Sequence, residues 1–230
     1  MRLGTTWRVA RVVATKDLRI EMRSRVVTNQ VLPFAGLVLI MFAFALDDDI
    51  LLERVAGGLV WLATLFSLFI VVQRSFGIET ADGALDSIRV AGVDPAGIFL
   101  GKTLALVVQL LILEIVLIGG AVVLYRVRVE PASLVLLVTC LLLATLGLAF
   151  VGALFGGFAA GIRGRETLLP LLLLPAIAPV LIGATKATEA AFGISGMVTS
   201  EGWPWVGLLA VFAAVFGVGG LSAFGPLIEE

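Results

Sequence analysis

The sequence contains no histidine, a single cysteine and few charged residues. Only 14% of its 230 residues are charged, whereas about 25% is usual in soluble domains. Without histidine, the chain lacks the commonest metal ligand, the commonest general base and the usual proton relay. Cys140 has no second cysteine with which to form a disulfide. These absences argue against a soluble enzyme, a metal centre and a disulfide framework.

Motifs for nucleotide chemistry and for catalysis are also missing. No G-x-x-x-x-G-K-[ST] phosphate-binding loop occurs, so any use of ATP has to be supplied by another polypeptide. The chain also shows no nucleophile–base pair, no paired catalytic carboxylates and no Cys/His metal spacing. We therefore expect no catalytic residue and no metal site here, and nothing in the composition points to a nucleic-acid partner.

Hydrophobic residues make up 60% of the chain and are grouped in long runs. A membrane-spanning helix needs about 20 largely apolar residues, and these runs are too long and continuous for the alternating strands of a membrane barrel. The sequence therefore predicts an all-α integral membrane protein, one domain over residues 1–230, with a six-helix bundle at 27–224. The six predicted spans are Val31–Leu46, Val55–Gln73, Thr103–Tyr125, Ala132–Ala160, Leu168–Thr185 and Trp203–Phe224.

Lysine and arginine are distributed unevenly between the two sides of this predicted bundle. Twelve of the 16 fall in the first 25 residues, in residues 74–102 and at 163–165. The other side holds Arg54, Arg126, Arg128 and Lys186. By the positive-inside rule, both termini are predicted to be cytoplasmic, in a multi-pass protein of the bacterial cytoplasmic (inner) membrane.

Residues 1–26 predict an amphipathic helix at the membrane interface. Asp17 and Glu21 interrupt its apolar sector one turn apart, which indicates that they face protein instead of lipid. The alternative is a basic tail that only sets topology. Four basic side chains share one narrow arc at 100° per residue: Arg8, Lys16, Arg19 and Arg23.

The polar segment 74–102 joins the second and third predicted spans. An acid at Glu79 could pair with a partner protein, while glycine at Gly83 would permit close approach. The segment is thus a candidate docking loop for a soluble partner, although exposed loop charges need no special role. Its candidate residues are Glu79, Asp82, Gly83, Asp86 and Arg89.

Glu114 lies near the middle of the third predicted span. Placing an acid at that depth costs about 2.5–3.5 kcal/mol on insertion scales, which makes Glu114 a functional candidate. The alternative is a protonated or hydrogen-bonded carboxyl that ties helices together, with Gln109 or a serine or threonine of another span as its partner.

Two further patterns concern the packing of the later spans. Pro170, Pro175 and Pro179 each remove a backbone donor from the fifth span, which predicts a kinked or broken helix there. The G-x-x-x-G spacing of Gly152 and Gly156 in the fourth span lets another helix approach closely, either within one chain or in a dimer.

Several stretches of the chain resemble known permeases. Six spans, the basic segment KDLRIEMRSR and the pattern E-x-x-x-G-A-L-D resemble the ABC-2 class of ABC-transporter permeases. More narrowly, GGLVWLATLFSLFIVVQRSF, GALDSIRVAGVDPAGIFLGK and LLLPAIAPVLIGATKA are similar to the haem exporter protein B family, CcmB, of cytochrome c maturation. The likeness covers nearly the whole length.

The resemblance implies a permease subunit for haem export or delivery to the periplasmic haem chaperone. It implies a homodimer bound to a CcmA-like ABC ATPase that holds the ATP, with a CcmC-like haem-handling protein and a small CcmD-like subunit. The loop around Glu79 and Gly83 would be the coupling element on the ATPase, and haem would be handled cargo instead of a cofactor of this chain. The alternatives are an ABC-2 permease for another lipid or small hydrophobic substrate, and a nucleotide-independent assembly scaffold in the membrane.

Overall fold

A computed structural model describes residues 3–81, 92–160 and 165–229, and every regular element in these ranges is helical. The first helix leads through a five-residue π-helical turn, Val27–Val31, into the second. One 3₁₀ turn, Pro131–Ser133, precedes α5, and two more lie between α6 and α7, at Ile194–Gly196 and Thr199–Gly202. The α-helices are α1 (Leu3–Ser24), α2 (Leu32–Ala45), α3 (Asp49–Ala81), α4 (Pro95–Leu124), α5 (Leu134–Ala160), α6 (Arg165–Ala191) and α7 (Trp203–Glu229).

Within the described ranges, six helical segments, containing α2 to α7, are long and apolar enough to cross a membrane, which confirms the predicted number of spans. The shortest candidate span is Val27–Ala45 with 19 residues, and the others have 25 to 31. Helices satisfy their own backbone hydrogen bonds, which lipid requires. The fold is therefore a six-span helical bundle with one additional N-terminal helix.

The helices α3 and α4 extend well beyond the length that a bilayer needs. They contain 33 and 30 residues, or roughly 50 and 45 Å at 1.5 Å per residue, against a hydrocarbon core of about 30 Å. The first eight and the last eight residues of the predicted loop over 74–102 are helical and belong to the ends of α3 and α4. Residues 82–94, of which the structure describes 92–94, form the connection between the two helices.

The helix α6 is continuous from Arg165 to Ala191 and contains all three prolines. The fifth span is therefore not broken at these prolines, and a kink at them stays a prediction. Leu173, Ile177 and Val180 are fully buried on one face of this helix, so packing against its neighbours holds α6 together where proline has removed a hydrogen bond.

Glycines on α5 allow close packing within the chain. A Cβ atom on Gly156 would lie 2.5 Å from the ring of Phe76 on α3, and one on Gly152 would lie 2.9 Å from Val72. Both distances are shorter than real Cβ contacts, so only glycine fits at this separation. The G-x-x-x-G spacing in the fourth span is used between α5 and α3 of one subunit.

A second glycine pair, on α4, holds the N-terminal helix. A Cβ on Gly97 would lie 2.7 Å from Val9, and one on Gly101 would lie 2.6 Å from Val13. The second contact lies four residues after the first on both helices. The start of α4 and α1 therefore run parallel and pack closely against each other. The sequence shows this spacing as G-I-F-L-G, which was not among the predicted packing motifs.

The first prediction concerns topology and uses single cysteines on exposed positions. Cysteine at Asp47, Arg128 or Ser200 should react with a membrane-impermeant maleimide in intact cells, because the charge distribution places these positions outside. The one native cysteine, Cys140, is buried and gives a low background. Cysteine at Thr15, which is exposed on α1, serves as the control and should react only after permeabilisation. Labelling of Thr15→Cys in intact cells would refute this orientation.

Candidate functional site

The ammonium group of Lys102 is buried where α3 ends and α4 begins. Its side chain is 0% exposed, and Nζ lies 2.8 Å from Asp17 Oδ2 on α1 and 2.8 Å from Glu79 Oε1 on α3. Nζ also donates to the carbonyl oxygen and the hydroxyl of Ser75, at 3.0 and 3.1 Å. One cation on α4 thus joins three helices. We call this group of residues the charged cluster: Lys16, Asp17, Ser75, Glu79 and Lys102.

Lys16 contributes a second cation to the charged cluster. Its Nζ pairs with Glu79 Oε1 and lies 3.2 Å from Asp17 Oδ1. Burial lowers the pKa of Lys16, but hydrogen bonds and charges from Glu79 and Asp17 outweigh this effect and leave the pKa above its ordinary value of 10.5. A raised folded pKa means that the stabilisation is fully present below the unfolded pKa. It is lost only as the pH rises through the folded pKa.

Glu79 occupies a different environment from the one that its sequence position indicated. It lies on the last turns of α3 with 3% of its surface exposed, and Oε1 accepts from both lysines. Its Oε2 atom has no hydrogen-bond partner among the described residues. A cavity of about 30 Å³ adjoins Glu79, and this volume has room for one or two water molecules. Glu79 therefore bonds within its own chain.

The other predicted docking residues cannot be placed beside Glu79. They lie outside the described residues, between α3 and α4: Asp82, Gly83, Asp86 and Arg89.

The N-terminal helix contacts both ends of the connection between α3 and α4. Before the connection, Lys16 and Asp17 join the cluster around Glu79. At its last residue, the Thr6 hydroxyl donates to Asp94 Oδ2, and the other Asp94 oxygen caps α4 by accepting from the amide of Ala96 at 3.1 Å. This arrangement can transmit movement, because a shift of the connection displaces groups that α1 holds on either side.

Sequence reasoning anticipated only part of the charged cluster. The break in the apolar face of α1 correctly indicated that Asp17 faces protein, since Asp17 is 8% exposed. Neither Lys102 nor Ser75 was a candidate, because Lys102 counted only as one more cytoplasmic charge. A buried carboxylate signals that a cation is near, but the sequence does not say which one.

Glu114 is a second buried acid, in the middle of α4. It is 0% exposed, and its Oε2 atom lies 2.6 Å from the hydroxyl oxygen of Thr145 on α5. The Oε1 atom has no hydrogen-bond partner among the described residues. Gln109 lies on the same helix and is also buried, but the polar contact of Glu114 is with Thr145. Glu114 therefore ties α4 to α5.

Counting protons at Thr145 indicates which group donates. The Thr145 hydroxyl oxygen lies 2.5 Å from the carbonyl oxygen of Leu141 and 2.6 Å from Glu114. A hydroxyl carries one proton and a carbonyl oxygen carries none. Both contacts are hydrogen bonds when Thr145 donates to Leu141 and a protonated Glu114 donates to Thr145. We therefore expect Glu114 to be a neutral acid, which also avoids the cost of a charge at this depth.

Comparisons with known proteins agree along nearly the whole chain. The family model described as CcmB protein matches residues 8–224. Heme exporter protein B of Haemophilus influenzae is 31% identical over 206 residues, which cover 88% of each chain. Heme exporter protein B of Paracoccus denitrificans is 30% identical over 185 residues, covering 79% of this chain and 84% of that protein. The Escherichia coli K12 protein of the same name is 29% identical over 220 residues, covering 95% and 94%.

The second prediction tests the charged cluster. Replacing Lys102 by Met leaves Asp17 and Glu79 buried with Lys16 as their cation, and losing one partner of a buried pair costs about 3–5 kcal/mol. We expect a clearly lower unfolding midpoint in detergent and faster cleavage of α1 by trypsin. The control is Arg126→Met, because Arg126 pairs with Asp49 where both side chains are more than 80% exposed and such pairs contribute about 0–1 kcal/mol. Equal midpoints for the two variants would contradict the cluster's role.

The third prediction separates a neutral Glu114 from a charged one. Glu114→Gln keeps a donor at the same reach, so its unfolding midpoint should stay close to wild type. Glu114→Asp keeps the carboxyl group but withdraws it from Thr145, which should cost about 1–3 kcal/mol for the unsatisfied group. Thr145→Val should also lower the midpoint, unlike the control Thr139→Val, whose hydroxyl bonds only its own helix. If Glu114→Asp has a higher unfolding midpoint than Glu114→Gln, Glu114 is charged in the folded protein and this prediction is wrong.

Proposed function

The chain belongs to the CcmB protein family, and from that premise we propose that it moves or releases haem under the control of a separate ATPase. It is a multi-pass membrane protein and a permease subunit of haem export, that is, a component of a transporter rather than an enzyme. The observation that carries this function is the family match over residues 8–224, joined to six spans in the same chain.

ATP hydrolysis is assigned to a partner subunit. The chain has no phosphate-binding loop, and a permease driven by ATP therefore needs a CcmA-like ATPase. We further propose a homodimer of this chain, accompanied by a CcmC-like haem-handling protein and a small CcmD-like subunit. Both termini and the connection between α3 and α4 would face the cytoplasm of a bacterial inner membrane, where the ATPase is located.

Coupling is proposed to run through the connection at residues 82–94 and the charged cluster. The ATPase would contact the connection itself, through Asp82, Gly83, Asp86 and Arg89. The cluster would then carry the movement to α1 and into the spans, since Lys102 joins α1 to α3 and α4. Binding energy at the ATPase moves the spans only if the two states contact it differently, and α1 is held on both sides of the contacted segment.

Glu79 takes a positioning role in this proposal. Its carboxylate accepts from Lys16 and Lys102 and is 3% exposed, so a partner could reach it only after a rearrangement. A Glu79→Lys change would bring three lysines together and disturb α1 as well as any docking. Substitutions at Asp86 and Arg89 are therefore the cleaner probes of contact with the ATPase.

The fourth prediction tests the function in cells. Deleting the gene should abolish haem-stained c-type cytochromes while apocytochrome synthesis and haem synthesis continue, because the proposed subunit acts only in haem delivery. A plasmid copy should restore staining, and tagged wild-type protein should bring down an ATP-hydrolysing subunit. Asp86→Lys should weaken that association without lowering the unfolding midpoint.

Normal staining in the deletion strain, with no second copy of the gene, would overturn the proposed function. Purification of the functional protein without any ATPase would overturn the coupling scheme.

A further inference from the structure

A cleft of about 650 Å³ opens at the end of the bundle opposite the charged cluster. It lies between the beginning of α3, the end of α6 and the segment that joins α6 to α7. A volume of this size falls in the usual range for small-molecule sites, about 300–1,000 Å³. The lining residues used in the argument are Arg54, Leu59, Leu62, Lys186, Glu189 and Met197.

The floor of the cleft is apolar. Val55, Leu59 and Leu62 recur at helical spacing and form one face of α3. Gly58 lies among them, and a Cβ there would meet only a methyl of Thr185, at 3.8 Å. This face is therefore apolar, and it carries no side chain at Gly58, between Val55 and Leu62.

The rim of the cleft carries a net positive charge. Arg54 is exposed on α3, and Lys186 on α6 lies 2.7 Å from Glu189. Two cations and one acid leave an excess of one positive charge. An ammonium group has three protons to donate, so Lys186 can bind an anion while it keeps its contact with Glu189.

A methionine, Met197, lines the third wall. Met197 follows a tight turn in which Gly193, Ser195 and Gly196 all have positive φ, with 56° at Ser195. Non-glycine residues adopt this conformation only at a cost, and such strain is concentrated at binding and switch sites. The turn directs the chain so that Met197 lines the cleft, and a methionine thioether is an established type of axial ligand for haem iron.

The helices below the cleft are fixed to each other. Trp61 on α3 donates to the hydroxyl of Thr188 on α6 at 2.9 Å, and both side chains are buried. A Cβ on Gly57 would be in ordinary contact with Thr185 and Thr188 at 3.5 Å, so the two helices pack closely here. Contacts within the chain therefore hold two walls of the cleft in place, and a preorganised site reduces the cost of binding.

We propose that this cleft binds haem, with the propionates at Arg54 and Lys186, the macrocycle over α3, and Met197 as an axial ligand to the iron. The proposal rests on the proposed function, which supplies haem as the cargo and places this end of the bundle outside. The chemistry matches the cleft: haem combines a flat apolar ring, two carboxylates and a metal that binds thioethers. A phospholipid would use the charges and the apolar floor but has no use for Met197.

The test is a titration of the purified chain, in phosphatidylcholine nanodiscs, with ferric haem and with iron-free protoporphyrin IX. Wild type should bind both saturably. Arg54→Gln with Lys186→Gln should weaken both by about tenfold or more, because charge-assisted hydrogen bonds are lost. Met197→Leu should change the absorption spectrum of bound haem and leave protoporphyrin binding unaltered. Arg128→Gln, another exposed arginine on the same side that does not line this cleft, is the matched control and should bind like wild type.

Several outcomes would overturn the proposal. These are the absence of saturable haem binding, equal losses for Arg128→Gln and the double variant, and an unchanged haem spectrum in Met197→Leu. If the double variant still matures cytochromes in the deletion strain at wild-type levels, the cleft fails while the proposed function stands.

Discussion

A charge can be buried only when opposite charges and hydrogen-bond partners replace the water that it loses. Lys102 is fully buried, and its partners come from α1 and α3 as well as from the backbone at Ser75. The position of α1 follows from this requirement, because Asp17 has to be within reach of the ammonium group. Gly97 and Gly101 make the approach sterically possible by leaving room for Val9 and Val13. Close packing and charge pairing thus depend on each other here.

The consequence for function is mechanical. The helices α3 and α4 are longer than the membrane is thick, and their extended ends carry the cluster. Long helices transmit displacement because their backbone hydrogen bonds keep them stiff. In the proposed function, a partner that pulls on residues 82–94 moves the cluster with them, and α1 follows. In the proposed scheme, the permease needs no catalytic group of its own, since its task is to change shape when an ATPase does.

Polar groups along the bundle differ in charge according to depth. At one end, ionised lysines and carboxylates neutralise each other. In the middle, where an ionised group is most costly, Glu114 has a hydroxyl partner and is expected to be neutral. At the other end, Arg54 and Lys186 lie where water and headgroups can solvate them. The apolar face of α3 lies beside these cations, and this combination suits a cargo such as haem that is both apolar and anionic.

The sequence by itself determined the class of fold, the number of spans and the family resemblance. Hydrophobic runs report the fold class and the number of spans directly, because lipid requires each spanning segment to satisfy its own backbone, while the family resemblance rests on particular sequence motifs. Helix ends were less well predicted: α3 continues to Ala81 and α4 begins at Pro95, beyond the predicted spans, since a helix can continue into water after its apolar run ends. The helix α6 stayed continuous through three prolines because its neighbours pack against it, which local propensity does not include. Only the tertiary structure decided that Glu79 pairs with Lys16, 63 positions away, and that Lys102 is buried. Such pairings depend on how separate helices dock, and the pattern along one helix carries no information about its neighbour.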